Sequence, residues 1–167
     1  TCGAYGVLGY SYKALVANCE NHGKITFHMT KADTSTDATG RQGSAGVVGH
    51  PYGEVIYEIP AGKLEIGEEP LACGKRELSE EAGYTAEKWQ SLGIVYPTPA
   101  YCSEKIHIFL ATDLTKGDAH LDQGEFVESI TLPLKDAVQM VMSGEIKDAK
   151  TQIAILKVLA MREAEQI

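Results

Sequence analysis

Along the chain, the spacing of apolar positions switches between the strand period and the helix period. Val55-Ile56-Tyr57-Glu58-Ile59-Pro60 is an apolar run of β-branched and aromatic residues. It predicts a strand that Pro60 ends. From Pro70 to Gly83 the period becomes helical. At about 100° per residue, Leu71, Gly74, Leu78 and Ala82 share one narrow stripe. Proline at the first helical position and glycine just past the last one mark its ends. Trp89 to Tyr96 and Ile106 to Thr112 predict strands, the second continuously apolar. Glu125 to Leu132 alternates and predicts another. Leu134 to Met142 reads as a helix stopped by Ser143-Gly144. A last amphipathic helix begins at Asp148 or Thr151 and turns Ile153, Leu156, Leu159 and Ala160 inward.

The first fifty residues are less patterned. Tyr10 to Val16 and Ile25 to Met29 predict strands separated by a turn at Asn21-His22-Gly23. Thr30 to Ser44 is rich in Thr, Ser, Asp, Ala and Gly and reads as a loop, and Gly46-Val47-Val48-Gly49 as a strand fragment. The chain therefore divides into an N-terminal β region, 1–50, and a main domain, 51–167.

Composition narrows the function classes. The 167 residues are 44% hydrophobic and 23% charged, values of a globular chain with a substantial core. A net charge of -8 argues against a nucleic-acid backbone as the main partner. It leaves room for a small polyanion, because bound cations invert the local potential. No run of 18 apolar residues and no signal peptide is present, so a cytoplasmic protein without a membrane partner is expected. Cys2, Cys19, Cys73 and Cys102 have no Cys-x-x-Cys spacing and read as reduced thiols. None of the five histidines shows the partners of a nucleophilic triad.

The chemistry concentrates between Gly62 and Tyr84, GKLEIGEEPLACGKRELSEEAGY. Glu77, Glu80 and Glu81 share one arc of the predicted helix, since i, i+3 and i+4 are neighbours. Three carboxylates there repel one another unless a cation lies between them. Hard divalent ions take such oxygen ligands, and magnesium completes its shell with substrate phosphates. A solvated acidic face is the ordinary alternative. The fixed spacing to Gly62, Glu68, Arg76 and Gly83 removes it, because seven identities at about one in twenty match by chance roughly once in a billion starts.

This stretch resembles the Nudix box at every charged and glycine position, with Tyr84 where an aliphatic residue is commoner. The resemblance implies an α/β fold, a Nudix-type α/β/α sandwich with a mixed sheet. It also implies hydrolysis of a nucleoside diphosphate linked to another group, with Mg2+ as cofactor and Mn2+ as a substitute. By position, Glu77 and Glu81 are direct metal ligands, Glu80 is a ligand or close partner, and the Ala61 carbonyl is a further ligand. Arg76 and Glu68 pair to orient the loop against the helix. Gly62 and Gly83 are positions where a side chain would interfere.

Outside the box, Pro99 falls sixteen residues after Gly83 in a loop ending Cys102-Ser103-Glu104. That offset, Glu58-Ile59-Pro60-Ala61-Gly62-Lys63 and Gly124-Glu125-Phe126-Val127-Glu128 resemble the ADP-ribose pyrophosphatase branch. The likeness runs over roughly residues 51 to 165. It implies substrate contacts at Pro99 and Glu104, a general base at Glu125 with Glu104 as runner-up, and a homodimer. Upstream, His50-Pro51-Tyr52-Gly53-Glu54-Val55 stands where that branch carries a basic strand. The activity implied is cleavage of ADP-ribose to AMP and ribose 5-phosphate. Another nucleoside diphosphate sugar as substrate, or a non-catalytic ligand-binding module, are the alternatives.

Overall fold

The structure is a computed structural model. It describes the backbone of residues 11–13, 15–20, 24–33, 55–100, 103–118 and 127–164, and the side chains of 56–100, 103–118 and 130–164. The Asn21–Gly23 turn, the Gly46–Gly49 fragment and Glu125 lie outside the described residues.

Eleven elements follow in chain order: β1 Ser11–Lys13, β2 Leu15–Glu20, β3 Lys24–Asp33, β4 Val55–Glu58, β5 Ala61–Lys63, α1 Pro70–Ala82, β6 Tyr84–Val95, β7 Ile106–Lys116, β8 Val127–Pro133, α2 Leu134–Ser143 and α3 Ala149–Glu163. The box helix begins at Pro70 as its spacing predicts. It ends where Gly83 takes the left-handed conformation (φ 70°) and its N–H turns back to the Leu78 and Ser79 carbonyls. Two expectations change. Residues 30–33 continue β3 instead of joining a loop, because β4 and β8 give that stretch ladder partners. Strand β6 starts at Tyr84, directly after the helix, and not at Trp89.

The main sheet is six-stranded and mixed. Strand β2 runs parallel to β7 and antiparallel to β3, and β6 runs antiparallel to β7. Residues 26–28 of β3 pair with both β2 and β8, and residues 30–32 with both β4 and β8. Strands β2 and β4 therefore lie end to end along one edge of β3, with β8 along the other. The short strand β5 pairs separately with β1, Lys13 opposite Ala61 and Ser11 opposite Lys63. Residues preceding position 50 thus brace both β4 and the start of the box.

Strand β7 divides the core. Ile106, Ile108 and Leu110 face one side and pack with Ile59, Leu134, Ala137, Ile155 and Val158 beneath α2 and α3. Ala111 faces the other side and packs with Leu78 and Ala82 of α1. This alternation is the period of two expected of a strand buried on both faces. It places α1 on one layer and α2 with α3 on the opposite layer, an α/β/α sandwich. Fully burying a side chain such as Leu78 or Ile155 stabilises the fold by about 2 kcal/mol. No helix among the described residues is long and apolar enough to cross a membrane.

Candidate active site

The buried stripe of α1, Cys73, Gly74, Leu78 and Ala82, is nearly the one read from spacing, with Cys73 taking the place of Leu71. Seating that stripe on the sheet turns Arg76, Glu77, Glu80 and Glu81 toward the β4–β5 corner. Ala61 N–H donates to Glu81 Oε2 at 3.0 Å. Gly62 lies against Glu77: a Cβ added there would fall 1.6 Å from Glu77 Oε1. Only glycine lets the backbone approach the carboxylate so closely.

Arg76 organises the rest. Its Nε donates to Glu68 Oε1 and its Nη2 to Glu68 Oε2, each at 3.1 Å, a two-pronged pair across eight residues. Nη2 also donates to the Lys63 carbonyl at 3.1 Å. Nη1 donates to Glu77 Oε1 at 2.6 Å and to Glu80 Oε2 at 3.0 Å. The bond from Arg76, and then the Glu65 amide, holds the Glu68 carboxyl below the ordinary glutamate range. The bond to Glu68 in turn holds the guanidinium charged against its partial burial. The expected pairing of Arg76 with Glu68 is present. Its reach to Glu77 and Glu80, one and four residues on, is local to the helix.

Cys73 is a free thiol, as expected, and it also supports the corner. Its thiol is buried and donates toward the Gly62 and Lys63 carbonyls, at 3.8 and 3.6 Å. Burial, then the charges of Glu77 and Glu68, push its pKa up to about 12. It is a packing and hydrogen-bonding residue beneath β5.

The corner fits a hard divalent cation. Glu77 and Glu81 present carboxylate oxygens beside the Ala61–Gly62 backbone, with Glu80 one turn from Glu77. Among the described residues, no three acidic, histidine or cysteine side chains converge into a complete cage.

The other expected residues lie elsewhere. Strand register pairs Tyr84 with Lys116 and Val95 with Ile106. The loop after β6 therefore sits at the end of the β6–β7 hairpin away from Gly83. Pro99 is exposed on that loop, and Glu104 is half-buried just before β7. Among the described residues, no hydrogen bond or ion pair joins Glu104 to the box carboxylates.

A profile of the NUDIX domain matches residues 40–153. The chain belongs to the Nudix family. It is 46% identical over 118 residues to the ADP-ribose pyrophosphatase of Bacillus subtilis, covering 70% of this chain and 63% of that protein. It is 42% identical over 116 residues to a methanol dehydrogenase activator of Bacillus methanolicus, covering 68% and 62%. It is 36% identical over 112 residues to a GDP-mannose pyrophosphatase of Citrobacter koseri, covering 65% and 58%. The matches thus span less than two thirds of each of these curated relatives. A crystal structure of an ADP compounds hydrolase superposes with a TM-score of 0.66 at 18% identity, covering 92% of this chain and 74% of that one. That superposition supports the Nudix fold assignment. With the glycine cradle and the Arg76 fork in place, the loop–helix–loop of this Nudix chain is complete from Ala61 to Gly83.

Proposed function

We propose that this Nudix chain hydrolyses the pyrophosphate bond of ADP-ribose, giving AMP and ribose 5-phosphate with Mg2+ as cofactor. The observation that carries the reading is the Ala61–Gly62 backbone seated on Glu81 and Glu77. A pyrophosphate is a stable anion, and water attacks it only when charge is neutralised and the water is aligned. Magnesium supplies positive charge to the phosphoryl oxygens and lowers the pKa of bound water.

The chain's own residues do the remaining work. Glu77 and Glu81, with the Ala61 carbonyl, hold the ion, and Glu80 stands beside them. Arg76 and Glu68 fix the loop against the helix, so the carboxylates stay aimed. Glu125 takes a proton from the attacking water as its oxygen bonds to phosphorus and the P–O–P bridge breaks; Glu104 is the second candidate. Glu125→Gln then lowers kcat with little change in KM. An unchanged rate transfers the role to Glu104. Pro99 and Glu104 line the substrate side. We read residues 51–167 as the hydrolase domain and 1–50 as its N-terminal β region, in a cytoplasmic homodimer without nucleic-acid partners.

Similarity to both an ADP-ribose and a GDP-mannose pyrophosphatase supports the nucleoside diphosphate sugar class and leaves a second substrate in play. Retention of all three box glutamates favours catalysis over a binding module. The test offers purified protein with magnesium ADP-ribose, ADP-glucose, GDP-mannose, NADH and a nucleoside triphosphate. Preference for ADP-ribose supports the full reading. Preference for GDP-mannose keeps the chemistry and changes the substrate. Binding without turnover favours the module.

A further inference from the structure

On the layer opposite α1, a charged network is buried at the start of α3. Lys150 and Glu58 are only 5% and 7% exposed. Lys150 Nζ donates to Glu58 Oε2 at 2.5 Å and to Asp148 Oδ1 at 2.6 Å. Asp148 caps α3, its Oδ2 accepting from the Thr151 N–H at 2.9 Å and from the Thr151 hydroxyl at 2.6 Å. The Thr151 oxygen in turn accepts from the Ile59 N–H at 3.0 Å, across 92 residues.

Ile59 is where the backbone leaves the sheet. The β3–β4 ladder closes at Thr30 opposite Glu58, so the next N–H has no strand partner. Ile59 itself is fully buried. An unsatisfied N–H there would cost about 1–3 kcal/mol. Thr151 supplies the acceptor, and the chain then runs only two residues to the Ala61 N–H that meets Glu81. The short segment 58–62 is thus held from below by α3 and from above by α1. A pair of apolar side chains would fill this layer at no loss of stability in many proteins. What the polar network adds is a fixed backbone position at the entrance to the metal corner.

We infer that Thr151, backed by Asp148 and the Lys150–Glu58 pair, is a positioning residue for metal binding: it fixes Ile59 so that Ala61 and Gly62 meet Glu81 and Glu77. This rests on the reading of that corner as a metal site. Its consequence is that changes on α3, outside the box and on the far layer of the sandwich, alter the affinity for the ion.

The test is titration of the purified chain with Mn2+, followed by electron paramagnetic resonance, alongside thermal melting. Wild type and Glu81→Gln define the site itself. Thr151→Val is expected to weaken Mn2+ binding about tenfold, in the range seen when outer-shell partners of a metal site are removed. Thr151→Ser, which keeps the hydroxyl, is expected to restore it. Should Thr151→Val not fold, the double variant Glu58→Met with Lys150→Met removes the buried pair and leaves Asp148 held by its two bonds from Thr151, and the same weakening is expected. A variant that melts lower yet binds Mn2+ as wild type does would overturn the positioning role and leave the metal site standing. Loss of any difference between wild type and Glu81→Gln would overturn the metal reading, and this inference with it.

Discussion

Arg76 Nη1 lies 2.6 Å from Glu77 Oε1 while the same guanidinium grips Glu68 through Nε and Nη2 at 3.1 Å. One cation therefore ties the loop to the helix and offsets the repulsion within the acidic arc. Lysine carries the charge but not the fork. Arg76→Lys is expected to lower stability by about 1–2 kcal/mol, because it loses part of a bidentate, charge-assisted pair. Urea denaturation measures this, and an unchanged midpoint would show the fork to be dispensable.

Gly62 is set by the same carboxylate. A methyl group at this position collides with Glu77 Oε1 and Cδ, at 1.6 and 2.0 Å. The colliding atoms are the far end of a flexible side chain, so Glu77 swings away and the backbone survives. Gly62→Ala is expected to keep its circular dichroism spectrum and lose on the order of tenfold in Mn2+ affinity. Calorimetric titration giving wild-type affinity would contradict the cradle.

Cys73 tests the burial beneath β5. With its pKa pushed up to about 12, first by burial and then by Glu77 and Glu68, it holds almost no thiolate near neutrality. The thiolate is the reactive form. Iodoacetamide at about pH 8, where an ordinary thiol reacts, is expected to leave Cys73 unmodified in the folded chain and to label it in urea. Peptide mass spectrometry reads the difference, and equal labelling in both conditions would contradict the packing.

The network below the site has a pH signature. Burial works against the charge on Asp148, but Lys150 and the two bonds from Thr151 outweigh it and hold its pKa below the ordinary aspartate value of 3.8. A group depressed on folding stabilises fully above its unfolded pKa and loses that contribution as pH falls through the folded one. The melting-temperature gap between wild type and Asp148→Asn should therefore be widest near about pH 7 and shrink toward about pH 3. A gap that widens on acidification would reverse the assignment.

Much of the site was legible because its determinants are local. Helical geometry fixes Glu77, Glu80 and Glu81 on one arc, Pro70 and Gly83 bound the helix, and the spacing to Gly62 and Glu68 is a property of the text. Strands β4 and β7 and helix α2 followed from period and punctuation, but α3 seats a different face than the one expected: Thr151, Ala154, Ile155 and Val158 are buried, while Leu156 and Ala160 are exposed. The N-terminal strands were harder to read. Residues 30–32 of β3 extend along two neighbours at once, and ladder partners that distant leave no trace in local composition.

What the sequence by itself determined was the family, the acidic arc and the ends of its helix, since a turn of helix brings together residues only three or four apart. Tertiary structure alone decided that Gly62 must be glycine for the sake of Glu77 and that Thr151 satisfies Ile59 from 92 residues away. Those relationships depend on two layers closing on one sheet, and a buried donor takes whichever acceptor that closure brings within reach.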